Sequence, residues 1–230
     1  MRYNRFLLVA FAFELLLALG ALALGWLLGL SPWYHTASEP HSIESLSRDL
    51  LWGLAATAPA VAVLLLEESP LWRSLTELKH QVSGMLDRLL CGSTHAQLFI
   101  LALLAGLGEE LLFRGLLQAG LARLLPAPFG IVGSLLIASI LFGLCHYLSH
   151  TYFLLATLAG FYFGLLMIVS GSILPAILAH ALYDFVALVY LLAEHEEQHH
   201  RPRLCLHYDA ELEDSDVEPA PAEGSPEDSR

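Results

Sequence analysis

Hydrophobic residues in this chain gather in six long runs, and the few charges falling inside those runs are its most informative positions. Apolar runs of about 20 residues read as membrane-spanning helices. The first runs from Phe6 to Leu30 and is interrupted only by Glu14, and the second runs from Leu50 to Leu66 and contains Pro59. The third begins at Gln97, carries its charges in its second half and reaches about Leu125. The remaining three are Phe129 to Leu148, Tyr152 to Val169, and Ile173 to Ala193. Between the second and third runs, Leu71 to Leu90 mixes Leu, Met and Val with charges at helical spacing, the pattern of a helix lying along the cytoplasmic interface or of a polar connector. The fold class is therefore all-α, a polytopic transmembrane bundle of about six membrane helices with an acidic, disordered C-terminal tail.

Three regions follow. Residues 1–95 form an N-terminal two-helix membrane region with its interfacial segment, 96–193 a second helix bundle, and 194–230 the tail. Arg2 and Arg5 precede the first run as in a signal peptide, but the run is too long and lacks a cleavage site, so it reads as a retained anchor. Arg73, Lys79 and Arg88 lie between the second and third runs. With six spans, the distribution of Lys and Arg puts both termini in the cytoplasm of a cell in whose plasma membrane the protein resides. Arg123 fits that scheme less well, and suggests a third helix that is broken or partly re-entrant.

Composition sharpens this picture in two respects. Hydrophobic residues make up 56% of the 230 and charged ones 15%, well below the quarter usual in a soluble domain. The net charge of −12 is mostly that of the tail, which from Glu194 onward holds 12 acidic residues and three arginines. No basic patch is present to bind nucleic acid. Cys91, Cys145 and Cys205 are far apart, which rules out a disulfide framework or a thiolate zinc site as the organising device. The tail histidines His195, His199, His200 and His207 lack an organised ligand spacing and read as solvated filler.

A charge within the hydrocarbon is expensive, and each is a functional candidate. Glu110 and Arg114 are four apart, share a helical face and can pair. Glu109 is turned away by about 100° and is free for proton transfer. That makes Glu109 a general base and the Glu110–Arg114 pair its support. Phe142 and His146 also share a face, with His150 one turn further on, and His180 and Asp184 repeat the spacing. Ala156, Gly160 and Gly164 recur every fourth residue, the small-residue pattern that lets membrane helices approach closely. Ser170 to Pro175 reads as a tight turn into the last helix, with Pro175 in its first turn. Glu14 has no motif around it and reads as a structural hydrogen-bonder within the bundle, with the lining of a substrate path as the alternative.

Glu109-Glu110 with Arg114, Phe142 with His146, and His180 with Asp184 resemble the Glu-Glu-x-x-x-Arg, Phe-x-x-x-His and His-x-x-x-Asn/Asp motifs of the CPBP intramembrane metalloprotease family. That family includes the CAAX prenyl endopeptidases and the bacteriocin-processing, Abi-like proteins, and the resemblance covers roughly residues 97 to 193. It implies an intramembrane endopeptidase acting on membrane-embedded or lipidated protein substrates. In it, Glu109 and His146 would activate water, while His180 and Asp184 would stabilise the oxyanion or orient its donor. Asp184 stands where the prenyl endopeptidases have Asn. An ionised Asp can only accept hydrogen bonds, so it is protonated, orients His180, or binds a metal. Zinc is the alternative cofactor, with His146, His150, His180, Asp184 and Glu109 as available ligands. The His-Glu-x-x-His helix of zinc proteases is absent, and the expectation is a glutamate mechanism with no cofactor. No Gly-x-Ser-Gly supports a rhomboid-like serine protease, and no Gly-x-Gly-Asp a presenilin-like one. The rival classes are a non-enzymatic membrane protein of the same fold, serving self-immunity or scaffolding, and a proton-coupled transporter, for which no inverted repeat is evident.

Overall fold

In a computed structural model the chain is a bundle of helices. The structure describes residues 5–31, 43–65, 73–90, 92–127 and 129–199. Helices α1 (Arg5–Leu27), α2 (Ile43–Leu65) and α3 (Arg73–Leu90) are followed by α4 (His95–Glu110). Helix α4 continues without a break through a π-helical segment (Leu111–Gln118) into α5 (Ala119–Leu124). Then come α6 (Phe129–Cys145), α7 (His150–Ser170) and α8 (Leu174–His199). The tail from residue 200 onward, and with it the expected disorder there, lies outside the described residues.

Among the described residues, five helical stretches are long and apolar enough to cross a membrane, including the continuous His95–Leu124 run of 30 residues. The third helix is therefore continuous, and its irregularity is a π segment instead of a break. The sixth expected span, α6, has 17 residues, roughly 25 Å of helix against a hydrocarbon core of about 30 Å. It falls short of the expected Leu148 because the chain turns at His146, whose N–H bonds the carbonyls of Phe142 and Gly143. Ser149 then caps α7 by accepting from Tyr152 N–H. At the other end, α8 runs six residues past the expected Ala193.

Local sequence explains the remaining boundaries. Thr94 and Gln97 form a reciprocal capping box that starts α4. Gly171, at φ 72°, terminates α7 in the left-handed conformation that glycine adopts at little cost. The Ser172 hydroxyl accepts the N–H of Leu174, and α8 opens with Pro175 in its first turn.

Helix α8 occupies the centre. Ala18 and Ala21 of α1 are buried with Leu111, Met167, Ile173 and Ile177, which ties α1 to the π segment and to α8. Ala56 of α2 is buried with Phe163, Leu166, Ala176 and Ala179. Close to Pro59, which removes a donor from α2, the Tyr162 hydroxyl donates to the Ala56 carbonyl at 2.6 Å. Lys79 on α3 donates to the Tyr190 hydroxyl of α8 at 3.0 Å. Small residues set the closest approaches: a Cβ on Gly106 would stand 2.9 Å from Ala181 N, and one on Gly108 would stand 2.8 Å from Glu14 O. Large apolar side chains such as Leu16, Trp26, Leu51 and Val169 point outward, as they do in a protein whose solvent on that side is lipid.

Candidate active site

The two glycines near the end of α4 draw α1 and α8 in around the next two residues, Glu109 and Glu110. Glu110 and Arg114 are 0% and 1% exposed, and Glu110 Oε1 lies 3.0 Å from Arg114 Nη1. Removing charges from water is costly, and such a pair persists only where other bonds complete it. Arg114 Nη2 donates to the Gly160 carbonyl at 2.9 Å, and its guanidinium lies 4.5 Å from the centre of the Phe142 ring. One turn on, Gln118 donates to the Gly164 carbonyl at 3.2 Å. The every-fourth-residue glycines of α7 are thus docking points for two polar side chains, since a Cβ on Gly164 would come within 2.6 Å of Gln118 Oε1.

The same Glu110 Oε1 accepts a hydrogen bond from His180 Nδ1 at 2.8 Å. That bond leaves His180 Nε2 facing the two other carboxylates, 3.4 Å from Asp184 Oδ2 and 3.9 Å from Glu109 Oε2. The His180 ring stacks on Phe163 at 4.8 Å and meets Phe142 edge-on at 5.9 Å. His146 follows the same scheme from the opposite side. Its Nδ1 donates to the Phe142 carbonyl at 2.9 Å, its ring stacks on Phe142 at 4.4 Å, and Nε2 lies 3.5 Å from Glu109 Oε2. Each imidazole is therefore held at Nδ1 and presents Nε2 to the centre, where Glu109 Oε2 faces both.

Side-chain exposure grades across the cluster. Glu110 and His180 are at 0% and 5%, Glu109 at 13%, His146 at 28% and Asp184 at 30%. The cluster thus has a dry floor, made by Glu110, Arg114 and His180, and an accessible side at His146 and Asp184. A reactant must arrive on that second side.

All seven residues of the three motifs converge here from α4, the π segment, α8, and α6 with the turn that follows it. His150 does not join them. Because α6 stops at Cys145, His150 begins a separate helix, is exposed, and lies 3.2 Å from the Tyr147 hydroxyl. Two features escaped the sequence reading. The π segment carries Arg114, and such segments often occur at functional sites; no residue pattern announced it. Glu14 approaches the cluster from α1, and its electrostatic neighbours are Glu109, Asp184, His180 and His146. Tyr152 and Tyr183 also lie within electrostatic range of Asp184.

The zinc alternative would take its ligands from this same cluster. Among the described residues, no group of three or more His, Cys, Asp or Glu side chains is arranged to hold a metal ion. His150 lies outside that cluster.

No curated protein and no solved structure matches the chain. Residues 92–186 match the family described as type II CAAX prenyl endopeptidase Rce1-like, a segment that begins just ahead of α4 and ends two residues past Asp184. Every motif residue of the cluster lies within it. Over that segment the chain is similar to the Rce1-like type II CAAX prenyl endopeptidases.

Proposed function

We propose that the protein is a glutamate-dependent intramembrane endopeptidase that hydrolyses peptide bonds in membrane-associated or lipidated protein substrates, with Glu109 and His146 as its water-activating pair. The supporting observation is the 3.5 Å approach of His146 Nε2 to Glu109 Oε2. With the Nδ1 proton of His146 on the Phe142 carbonyl, its Nε2 is an acceptor, as is the carboxylate. Two acceptors converging on one point suit a water molecule that donates one proton to each.

Attack then runs as follows. The water oxygen adds to the scissile carbonyl carbon while Glu109 takes its proton. The developing oxyanion accepts a hydrogen bond from Nε2–H of doubly protonated His180, whose Nδ1–H donates to Glu110. Asp184 orients His180 by holding that Nε2 proton in the ground state, the role among its three alternatives that the 3.4 Å spacing favours. On collapse the C–N bond breaks, and the amine leaves with the proton carried by Glu109. Donors fixed in advance where charge develops are the main resource of such a site, and the dry floor raises their effect.

The test is cleavage of a prenylated CAAX peptide by the full chain in proteoliposomes. Glu109→Gln and His146→Ala should each lower kcat by about 10²–10⁴-fold while leaving the thermal unfolding profile in place. Full cleavage by both variants would refute the assignment.

A further inference from the structure

Among the described residues, Glu14 is a half-buried acidic group near the cluster that the mechanism leaves unused, and it comes from outside the family segment. Its neighbours in α1, Phe13 and Leu15, face outward, so a carboxyl here has the cost of an intramembrane charge without a surface role. The placement is specific. Gly108 directly precedes Glu109, and a Cβ on Gly108 would stand 2.8 Å from Glu14 O and 3.4 Å from Glu14 Oε2. The carboxyl of Glu14 therefore lies over the backbone that carries Glu109. Ala18 and Ala21, one and two turns further along α1, are locked against Leu111 and Ile177, which fixes the helix in that position. The Oε2 atoms of Glu14 and Glu109 are both inaccessible, and neither receives a hydrogen bond from a protein donor. Buried polar atoms are rarely left so.

We infer that Glu14 is a positioning residue of the hydrolytic site, its carboxyl delivered by α1 over Gly108 to hydrogen-bond with the water and carboxyl group of Glu109 on the face opposite His146. This rests on the protease reading above. Glu14 closes the chamber on the α1 side, so the site is assembled from the N-terminal region as well as from the family segment. The groups that share this chamber with it are Glu109 from α4, His180 and Asp184 from α8, and His146 from the end of α6. Removing its carboxyl changes the charge balance among them, whereas a structural helix contact would not.

The experiment compares Glu14→Leu and Glu14→Gln in the full chain, reconstituted in proteoliposomes with a farnesylated CAAX peptide as probe and Glu109→Gln as the control. Glu14→Leu should lower kcat about tenfold or more with KM nearly unchanged, and Glu14→Gln, which keeps the hydrogen bonds, should recover to within about threefold of the parent. The pH–rate profile of Glu14→Gln should shift by about half a unit or more, since one ionisable neighbour is gone. Parental kcat and pH profile in Glu14→Leu would overturn the inference. So would equal impairment of both variants with a lowered Tm, which marks a packing role alone. If Glu14→Leu does not fold, Glu14→Gln decides through its pH profile, and an unshifted profile overturns the inference. No cleavage by the parent chain would instead overturn the protease reading itself, and an active Glu109→Gln control the role of Glu109, so these failures are distinct from that of Glu14.

Discussion

Glu110 and His180, 70 residues apart in the chain, are joined by a buried 2.8 Å hydrogen bond from imidazole Nδ1 to carboxylate Oε1. The same oxygen pairs with Arg114 at 3.0 Å, so the support of the catalytic floor and the aim of His180 depend on one carboxylate. Glu110→Gln should therefore be severe in two ways. Leaving Arg114 as an uncompensated buried charge should cost about 3–5 kcal/mol of stability, read as a lower Tm in detergent. Cleavage by the surviving folded fraction should fall as well, because an amide does not hold His180 as a charged acceptor does.

Asp184 is the most exposed member of the cluster, and its Oδ2 faces His180 Nε2 at 3.4 Å. An amide keeps the side-chain length and adds a donor. Asp184→Asn should retain more activity than Asp184→Ala, by about tenfold or more in kcat/KM. Equal loss in both variants would show that the carboxylate charge itself is required.

His150 offers the contrasting case. It lies outside the cluster, exposed beside Tyr147, so His150→Ala should cleave the prenylated probe at close to the parental rate, whereas His146→Ala should not. The same geometry predicts that dialysis against a strong zinc chelator leaves activity intact and that elemental analysis finds no stoichiometric zinc. Stoichiometric zinc lost on His180→Ala would contradict this.

Gly143 tests the scaffold separately from the chemistry. A Cβ there would overlap the Thr157 hydroxyl and stand 2.9 Å from the Phe153 carbonyl. Gly143→Ala should force α6 and α7 apart at a cost of about 1–3 kcal/mol. Thr157→Ala in the same chain should recover part of the loss, since the backbone contact at Phe153 remains. Thermal unfolding of the single and double variants measures both effects.

The contrast between Glu110–Arg114 and Glu110–His180 shows what sequence can reveal here. The first pair is four residues apart on one helix, so spacing alone predicts it. The second depends on how α8 packs against α4, which Gly106 makes possible but does not announce. The hydrophobic runs located the helices because lipid demands long apolar stretches, and the cost of buried charge pointed to the residues that cluster. The same runs overextended α6, since Tyr147 and Leu148 are apolar residues of a turn and not of a helix. That error also placed His150 on the wrong face. The approach of Glu14 to the cluster was not legible because its neighbours there belong to other helices, and the π segment has no composition of its own.

Cleavage of a prenylated CAAX peptide by reconstituted full-length protein, with Glu109→Gln alongside, bears most directly on the central claim. The account predicts robust hydrolysis by the parent chain and a loss of about 10²-fold or more in the variant, with unchanged thermal unfolding. Hydrolysis by Glu109→Gln at the parental rate would contradict it.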